Sequence, residues 1–245
     1  MRQLLPDPPG DVAPYDAYRP ADPWANLVRV NMVSSVDGRV TDEHGGSAGL
    51  GGPGDLEVFR ALRALADGIL TGAGTVRSEG YGPHRLHASV AGRRREDGRP
   101  EPAAMIVLSG SLDLDPDSAI FTEARTPTIV LTCESAPPER RARLRRVATV
   151  IDAGEQTVNL KAGIERLRGE CGLAHLLVEG GPRVNRALFA AALVDELCLT
   201  LASQLAGTGE GPGIIGGSLP AGVALSLGTV LTDGRDLFAR YAVER

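Results

Sequence analysis

The strongest constraint on this chain is an alternation. From residue 26 onward, short apolar runs are separated by longer amphipathic ones. Leu27–Val33, Gly68–Thr71, Ala103–Leu108, Thr128–Leu131, Ala148–Ile151 and His175–Val178 have the length and apolar density of buried strands. Asp55–Ala66, Pro137–Arg146, Val158–Arg168 and Pro182–Ala192 read as helices. In the first of these, Leu56, Phe59, Leu62 and Leu65 recur near helical spacing, and Asp55 suits the positive end of the helix dipole. Strand-then-helix order demands a mainly parallel sheet with helices on both faces. Glu196–Leu201, Val223–Leu231 and Leu237–Val243 complete the strands. The last two are joined by Thr232–Asp236, where Asp233-Gly234 is hairpin chemistry, so the C-terminal edge is expected to be antiparallel.

The remainder reads as connection. Gly38–Gly54 is a Gly-rich loop, and Glu79–Pro102 a polar loop rich in Arg and Gly. Residues 1–25 hold Pro6, Pro8, Pro9, Pro14, Pro20 and Pro23 and read as a lead-in arm, with Trp24 docking it onto a single domain spanning 26–245. The arginines at 93–95 and 140–146 read as solvated faces.

Composition removes several function classes. With 245 residues, 42% of them hydrophobic, the chain can bury a core without disulfide or metal staples. Thirty-one acidic residues against 26 basic ones, and only 4% aromatic, argue against a nucleic-acid partner. Cys133, Cys171 and Cys198 lie far apart and read as buried reduced thiols. Of the four histidines only His84 and His87 are closely spaced, and their polar setting reads as a solvated loop, so no metal site is expected. No signal pattern and no bilayer-length apolar run occur, which points to a cytoplasmic protein without a membrane partner.

Ligands of open α/β sheets bind beyond the carboxyl ends of strands, and three such ends are unusual here. Ile69–Glu79, ILTGAGTVRSE, runs from a strand directly into Gly72 and Gly74; glycines admit close backbone approach, and helix-opening N–H groups attract anions. Arg77 stands where a dinucleotide fingerprint needs its third glycine. Leu176–Asn185, LLVEGGPRVN, ends a strand in Glu179, then Gly180, Gly181 and Pro182, a seat for a diphosphate with Arg183 adding positive charge. Val30–Gly38, VNMVSSVDG, places Asn31 inside an apolar strand and closes on Ser34, Ser35, Asp37 and Gly38.

Taken in order, VNxxSSxDG, LRAxADxILxGAGTV, VEGGP and VDELxL resemble the pyrimidine reductase family of riboflavin biosynthesis, the RibD C-terminal domain, over roughly residues 26–244. The resemblance implies a dihydrofolate reductase-like mixed sheet, NADPH as hydride donor, a homodimer, and a pyrimidine ribosyl phosphate substrate, 5-amino-6-(ribosylamino)uracil 5′-phosphate, whose sugar is reduced to a ribityl chain. It also implies roles. Thr75 and Glu79 match cofactor contacts, and Gly181 through Ala187, Val184 included, match the loop and helix start under the diphosphate. Val33 would line the nicotinamide pocket, and Ser109 is a candidate for the 2′-phosphate. Glu179, Arg63 and Ser47 match substrate contacts.

The run from Glu79 through Tyr81, Pro83, His84, Arg85 and Leu86 departs from the family, which commonly has an acidic pair and proline here. Pro83, Arg85 and Leu86 are nevertheless placed at the substrate, Arg85 as a phosphate partner. The H-x-E and P-C-x-x-C signature of the deaminase carried by bifunctional relatives is missing, so deamination is not expected. Candidates for the proton that must accompany the hydride are Asp37, Glu179 and water, with backbone capping as the other role open to Asp37. The alternatives to a pyrimidine reductase are a paralogue reducing dihydrofolate or another pterin-like substrate, and a non-catalytic NADP-binding module.

Overall fold

The computed structural model describes residues 1–99, 101–207 and 211–244. Within them the chain runs β1 (Arg2–Leu5), β2 (Gly10–Asp11), α1 (Pro14–Tyr18), β3 (Leu27–Ser35), α2 (Pro53–Leu65), β4 (Gly68–Gly72), α3 (Ala73–Ser78) and α4 (Ala88–Glu96). It continues β5 (Ala104–Leu108), α5 (Ala119–Thr122), β6 (Ile129–Thr132), α6 (Pro138–Leu144), β7 (Thr149–Asp152), α7 (Leu160–Cys171), β8 (His175–Val178) and α8 (Pro182–Ala190). The chain closes with β9 (Glu196–Ala202), β10 (Leu225–Thr232) and β11 (Leu237–Val243). All the strands join one sheet in the order β2-β1-β10-β11-β9-β3-β8-β4-β5-β6-β7. Pairing is parallel from β9 through to β7 and antiparallel between β9, β11, β10, β1 and β2.

The expected mixed, mainly parallel sheet is therefore present, including the hairpin around Asp233. Its inner strands are apolar on both faces because helices cover both. β4, β6 and β8 are buried at every position. Two apolar clusters form, one on each side: Leu62, Leu65, Met105 and Phe238 belong to one, and Val30, Ile106, Leu167 and Leu188 to the other. Local chemistry fixes the helix ends. Asn159 caps α7 by accepting from the N–H of Ala162, and Gly172, at φ 68°, ends it in the left-handed conformation.

Several expectations need correction. Residues 1–25 are built into the fold: β1 pairs with β10, and α1 buries Tyr15 and Tyr18 against the core. The prolines hid this by punctuating elements too short for periodicity to reveal. Trp24 lies under the guanidinium of Arg99, 4.4 Å from ring centre to Cζ, and remains largely exposed. The stretch 79–102 contains α4, masked by the run Arg93–Arg95; Pro100 falls outside the described residues. Arg94 is buried, donating to the carbonyls of Ala64, Ala66 and Glu101, and so satisfies the C-terminal end of α2. Arg141 is likewise buried against Asp152 and the carbonyls of Cys133 and Glu134. His84 is buried too, accepting from the N–H of Ala103, while His87 caps α4. Cys133 and Cys198 are buried free thiols, and Cys171 is half-buried. Among the described residues no cluster of metal-binding side chains occurs, and no helix is long and apolar enough to cross a membrane.

Candidate active site

The three unusual strand ends belong to β3, β8 and β4, which are neighbours in the sheet. Residues as far apart in sequence as Val33 and Gly181, 148 positions, therefore meet along one edge. The two glycine turns interlock. The Gly72 N–H donates to the Gly180 carbonyl at 3.0 Å, and the Thr71 hydroxyl donates to the same carbonyl at 3.2 Å. Gly180 holds φ 88°, a conformation L side chains avoid, and a Cβ there would lie 3.3 Å from the Met32 sulfur. The Gly180–Gly181 peptide is cis. A Cβ on Gly181 would sit 2.8 Å from the Thr75 hydroxyl, and one on Gly72 would sit 3.0 Å from Val184. Side chains at these positions would close the gap between the turns. Gly181 also caps α8, its carbonyl accepting from the N–H groups of Val184 and Asn185; Pro182 has no N–H, so the Arg183 N–H is the donor left at the helix start.

In front of these turns lies a cavity of about 770 Å³. Its walls bring together Val33, Ser47, Arg63, Thr75, Glu79, Glu179, Gly181 and Pro182, eight of the expected site residues, with Asn31 among them. A helix period alone misassigned part of α2. Leu56 is exposed at 44%, and Leu56 and Phe59 face the cavity, while Val58, Ala61, Leu62 and Leu65 form the core face. Arg63, on the last turn of α2, makes a two-pronged ion pair with Glu179: Nε to Oε1 and Nη2 to Oε2, each 2.7 Å. The Tyr81 hydroxyl donates to Oε2 at 2.9 Å, and the guanidinium stacks 4.1 Å over the Phe59 ring. Burial, then the Glu179 charge, push the Tyr81 phenol far above its ordinary range, so it stays a donor. Both oxygens of Glu179 act as acceptors, the geometry of a carboxylate and not of a proton donor.

The Gly-rich loop is clasped from two sides. Asp42 accepts from the N–H groups of His44, Gly46 and Gly49, and Glu79 accepts from the N–H of Ser47 at 3.3 Å. Asp37 lies outside the cavity lining. Its carboxylate is exposed and accepts from the Ser35 hydroxyl and from the N–H groups of Ala206 and Gly207. Those bonds, the one from Ser35 first, hold it well below the usual carboxylate range. Of its two expected roles, the geometry shows backbone capping.

The other expected residues lie outside the lining of this cavity. Gly74 opens α3, with Arg183 exposed opposite it. Ser109, at the end of β5, is buried with its hydroxyl unpartnered among the described groups. Arg85 is exposed and paired with Glu123; with Leu86 it lines a smaller adjoining hollow of about 370 Å³, which shares Leu56, Phe59 and Arg63 with the main cavity. Pro83 lines neither. Tyr81 and Asp55 were missed as site residues. Tyr81 was visible only as a departure from the family's run; Asp55 was legible only as a helix-opening acid.

Comparison with known proteins identifies relatives of this chain. The 2,5-diamino-6-ribosylamino-4(3H)-pyrimidinone 5′-phosphate reductase of Methanothermobacter thermautotrophicus is 30% identical over 221 residues, covering 89% of this chain and 98% of that protein. The protein of the same name from Archaeoglobus fulgidus is also 30% identical, over 78% of this chain and 86% of its own length. Among solved structures, a pyrimidine reductase-like protein of Corynebacterium diphtheriae superposes with a TM-score of 0.83 at 28% identity, covering 96% of this chain and all of that one. The RibD C-terminal domain family matches residues 26–239, and with the interlocked glycine turns in front of its cavity the chain belongs to that family.

Proposed function

We propose that this chain is an NADPH-dependent reductase acting on a pyrimidine that carries a ribosylamino 5′-phosphate, giving the ribitylamino product. The observation that carries the reading is the interlocking of Gly72 with Gly180 beside a cavity whose lining holds both Gly181 and the Arg63–Glu179 pair. A nicotinamide coenzyme fits that wall. The glycines leave open the space a Cβ would fill, the start of α8 offers the Arg183 N–H to a diphosphate, and the buried Ser109 hydroxyl has no partner among the described residues. Thr75, Gly181, Pro182 and Val184 would hold the diphosphate end, Val33 the ring. When bound, the coenzyme supplies a hydride.

The chain's residues supply position. Hydride transfer needs donor and acceptor carbons about 3–3.5 Å apart and aligned. Glu179 faces the substrate end as a fixed acceptor, Arg63 and Tyr81 fix it in turn, and the clasped loop carries Ser47 over the cavity. A homodimer and a cytoplasmic location are part of the same proposal. Exposed Leu225 and Leu227 on β10 support the dimer.

The test is oxidation of NADPH followed with the pyrimidine ribosyl phosphate and, separately, with dihydrofolate. Turnover of the pyrimidine alone is expected; turnover of dihydrofolate alone would point to the paralogue. Gly181→Val is expected to weaken NADPH binding, read by fluorescence, at least tenfold, because its side chain would crowd Thr75 where the diphosphate must pass. An unchanged affinity would remove the diphosphate from that turn.

A further inference from the structure

The smaller hollow beside the main cavity, about 370 Å³, has a one-sided chemistry. Its charged and titratable walls are Arg60, Arg63, His84, Arg85 and His87, and among the described residues no carboxylate lines it. Two of these groups are engaged elsewhere. Arg63 is bound to Glu179 through both prongs, so its charge is already balanced. His87 turns its Nδ1 to the Ser89 N–H and hydroxyl at the start of α4. Arg60 is different. It stands one turn before Arg63 on α2, half-buried, with no hydrogen bond and no ion pair to any described residue.

His84 adds a directed donor. Its ring is buried, and Nδ1 accepts from the Ala103 N–H at 3.1 Å. A neutral imidazole whose Nδ1 is an acceptor carries its proton on Nε2. That N–H has no partner among the described residues, and the ring lines the hollow. A buried donor left without a partner is destabilising, and an anion in the hollow supplies the partner. Burial, then the charges of Arg63 and Arg94, hold the imidazole down to about 3, so it stays a neutral donor at ordinary pH. Arg85 completes the set. It and Glu123 are both exposed, and an ion pair in water contributes little, so Arg85 exchanges Glu123 for another anion with little loss.

We infer that this hollow is a phosphate subsite in which His84 and Arg60 select a phosphomonoester end, with Arg85 as a movable third arm. The inference rests on the reductase reading above. The body of the substrate lies in the main cavity, and its 5′-phosphate passes Leu56, Phe59 and Arg63, which both spaces share. A phosphomonoester brings about two charges and three acceptor oxygens, enough to meet one N–H and two guanidinium groups together. Neither His84 nor Arg60 is among the positions to which the family resemblance gives a role.

Titration calorimetry on the full chain, in phosphate-free buffer, uses ribose 5-phosphate and ribose as probes. Ribose 5-phosphate is expected to bind at least tenfold more tightly than ribose, with inorganic phosphate competing. Arg60→Gln and His84→Asn are each expected to weaken ribose 5-phosphate about tenfold, the scale of one hydrogen bond to a charged group, and to leave NADPH affinity unchanged. Asparagine at 84 keeps an acceptor for the Ala103 N–H while withdrawing the Nε2 donor, and Arg60 has no bond within the fold to lose. In turnover of the pyrimidine ribosyl phosphate, both variants should raise KM with kcat within about twofold, because the phosphate lies away from the reacting carbon. In nitrogen-15 NMR of the imidazoles, the His84 Nε2–H proton should move downfield with ribose 5-phosphate and stay in place with ribose, a response that a purely structural histidine does not give. Equal affinity for the two probes, unchanged ribose 5-phosphate affinity in either variant, or an unmoved His84 signal overturns the subsite. If the wild type turns over no pyrimidine ribosyl phosphate but binds ribose 5-phosphate with these sensitivities, the reductase reading fails and the subsite stands.

Discussion

Arg63 shows what a single residue's identity does and does not reveal. Its type and its place in LRA point toward an anionic ligand, but in the folded protein the guanidinium is already committed to a carboxylate of its own chain. The Glu179 side chain is only 3% exposed. Removing its partner leaves a buried charge held by Tyr81 alone, and breaking such pairs typically costs about 3–5 kcal/mol. Arg63→Ala is therefore expected to lower unfolding free energy by about 3 kcal/mol in urea titration, as well as raising the substrate KM. A loss of binding with no loss of stability would show that the pair carries no structural weight. His84 offers a pH signature. Burial, then the charges of Arg63 and Arg94, hold it down to about 3, below the unfolded value near 6.5. A depressed histidine adds stability that is fully present above pH 6.5 and is lost as pH falls toward its folded value; His175 shifts the same way. Unfolding free energy should thus fall with acid by up to about 1.4 kcal/mol per pH unit for each histidine. His84→Asn should remove one proton's share of that slope between pH 6 and 4.

At the scale of elements, legibility followed apolar density as well as length. β3, β5 and β8 and helices α2, α7 and α8 carry enough apolar residues to be seen in the sequence, with ends displaced by a few positions. α3, α5 and β2 are too short to display a period, and β1, as long as β8, is hidden because it is half exposed where β8 is buried throughout. α4 is long enough, but it buries only Val90 and Arg94, and an arginine signals surface. α1 is the instructive miss, because Tyr15 and Tyr18 are 4% and 1% exposed although they lie between prolines. Truncating a fully buried aromatic usually costs about 3–5 kcal/mol. Tyr18→Ala is expected to destabilise the protein by that amount in chemical denaturation; a change within experimental error would return residues 1–25 to the status of a dispensable arm.

At the scale of the molecule, one feature of the sheet assembles the site: β8 is inserted between β3 and β4. That insertion sets VEGGP next to GAGT and puts SSVDG on the neighbouring strand end, so ligand contacts would tie together three strands whose connections run through much of the chain. A ligand bound across them should stabilise the whole fold. At 100 times its Kd, NADPH should add about 2.7 kcal/mol, raising Tm by roughly 5–10 °C for a chain of this size, with Gly181→Val cutting the shift to about half or less.

The amino-acid sequence by itself determined the layer architecture and the glycine motifs that border the cavity. Apolar periodicity and glycine placement are local properties, written within a few residues of one another. The commitments among side chains were decided only by the tertiary structure. Which carboxylate Arg63 holds, and whether Asp37 faces a ligand or a turn, depend on contacts between residues 116 and 169 positions apart. Electrostatics and burial act through space, and a linear chain gives no distance between such groups until the sheet order is set.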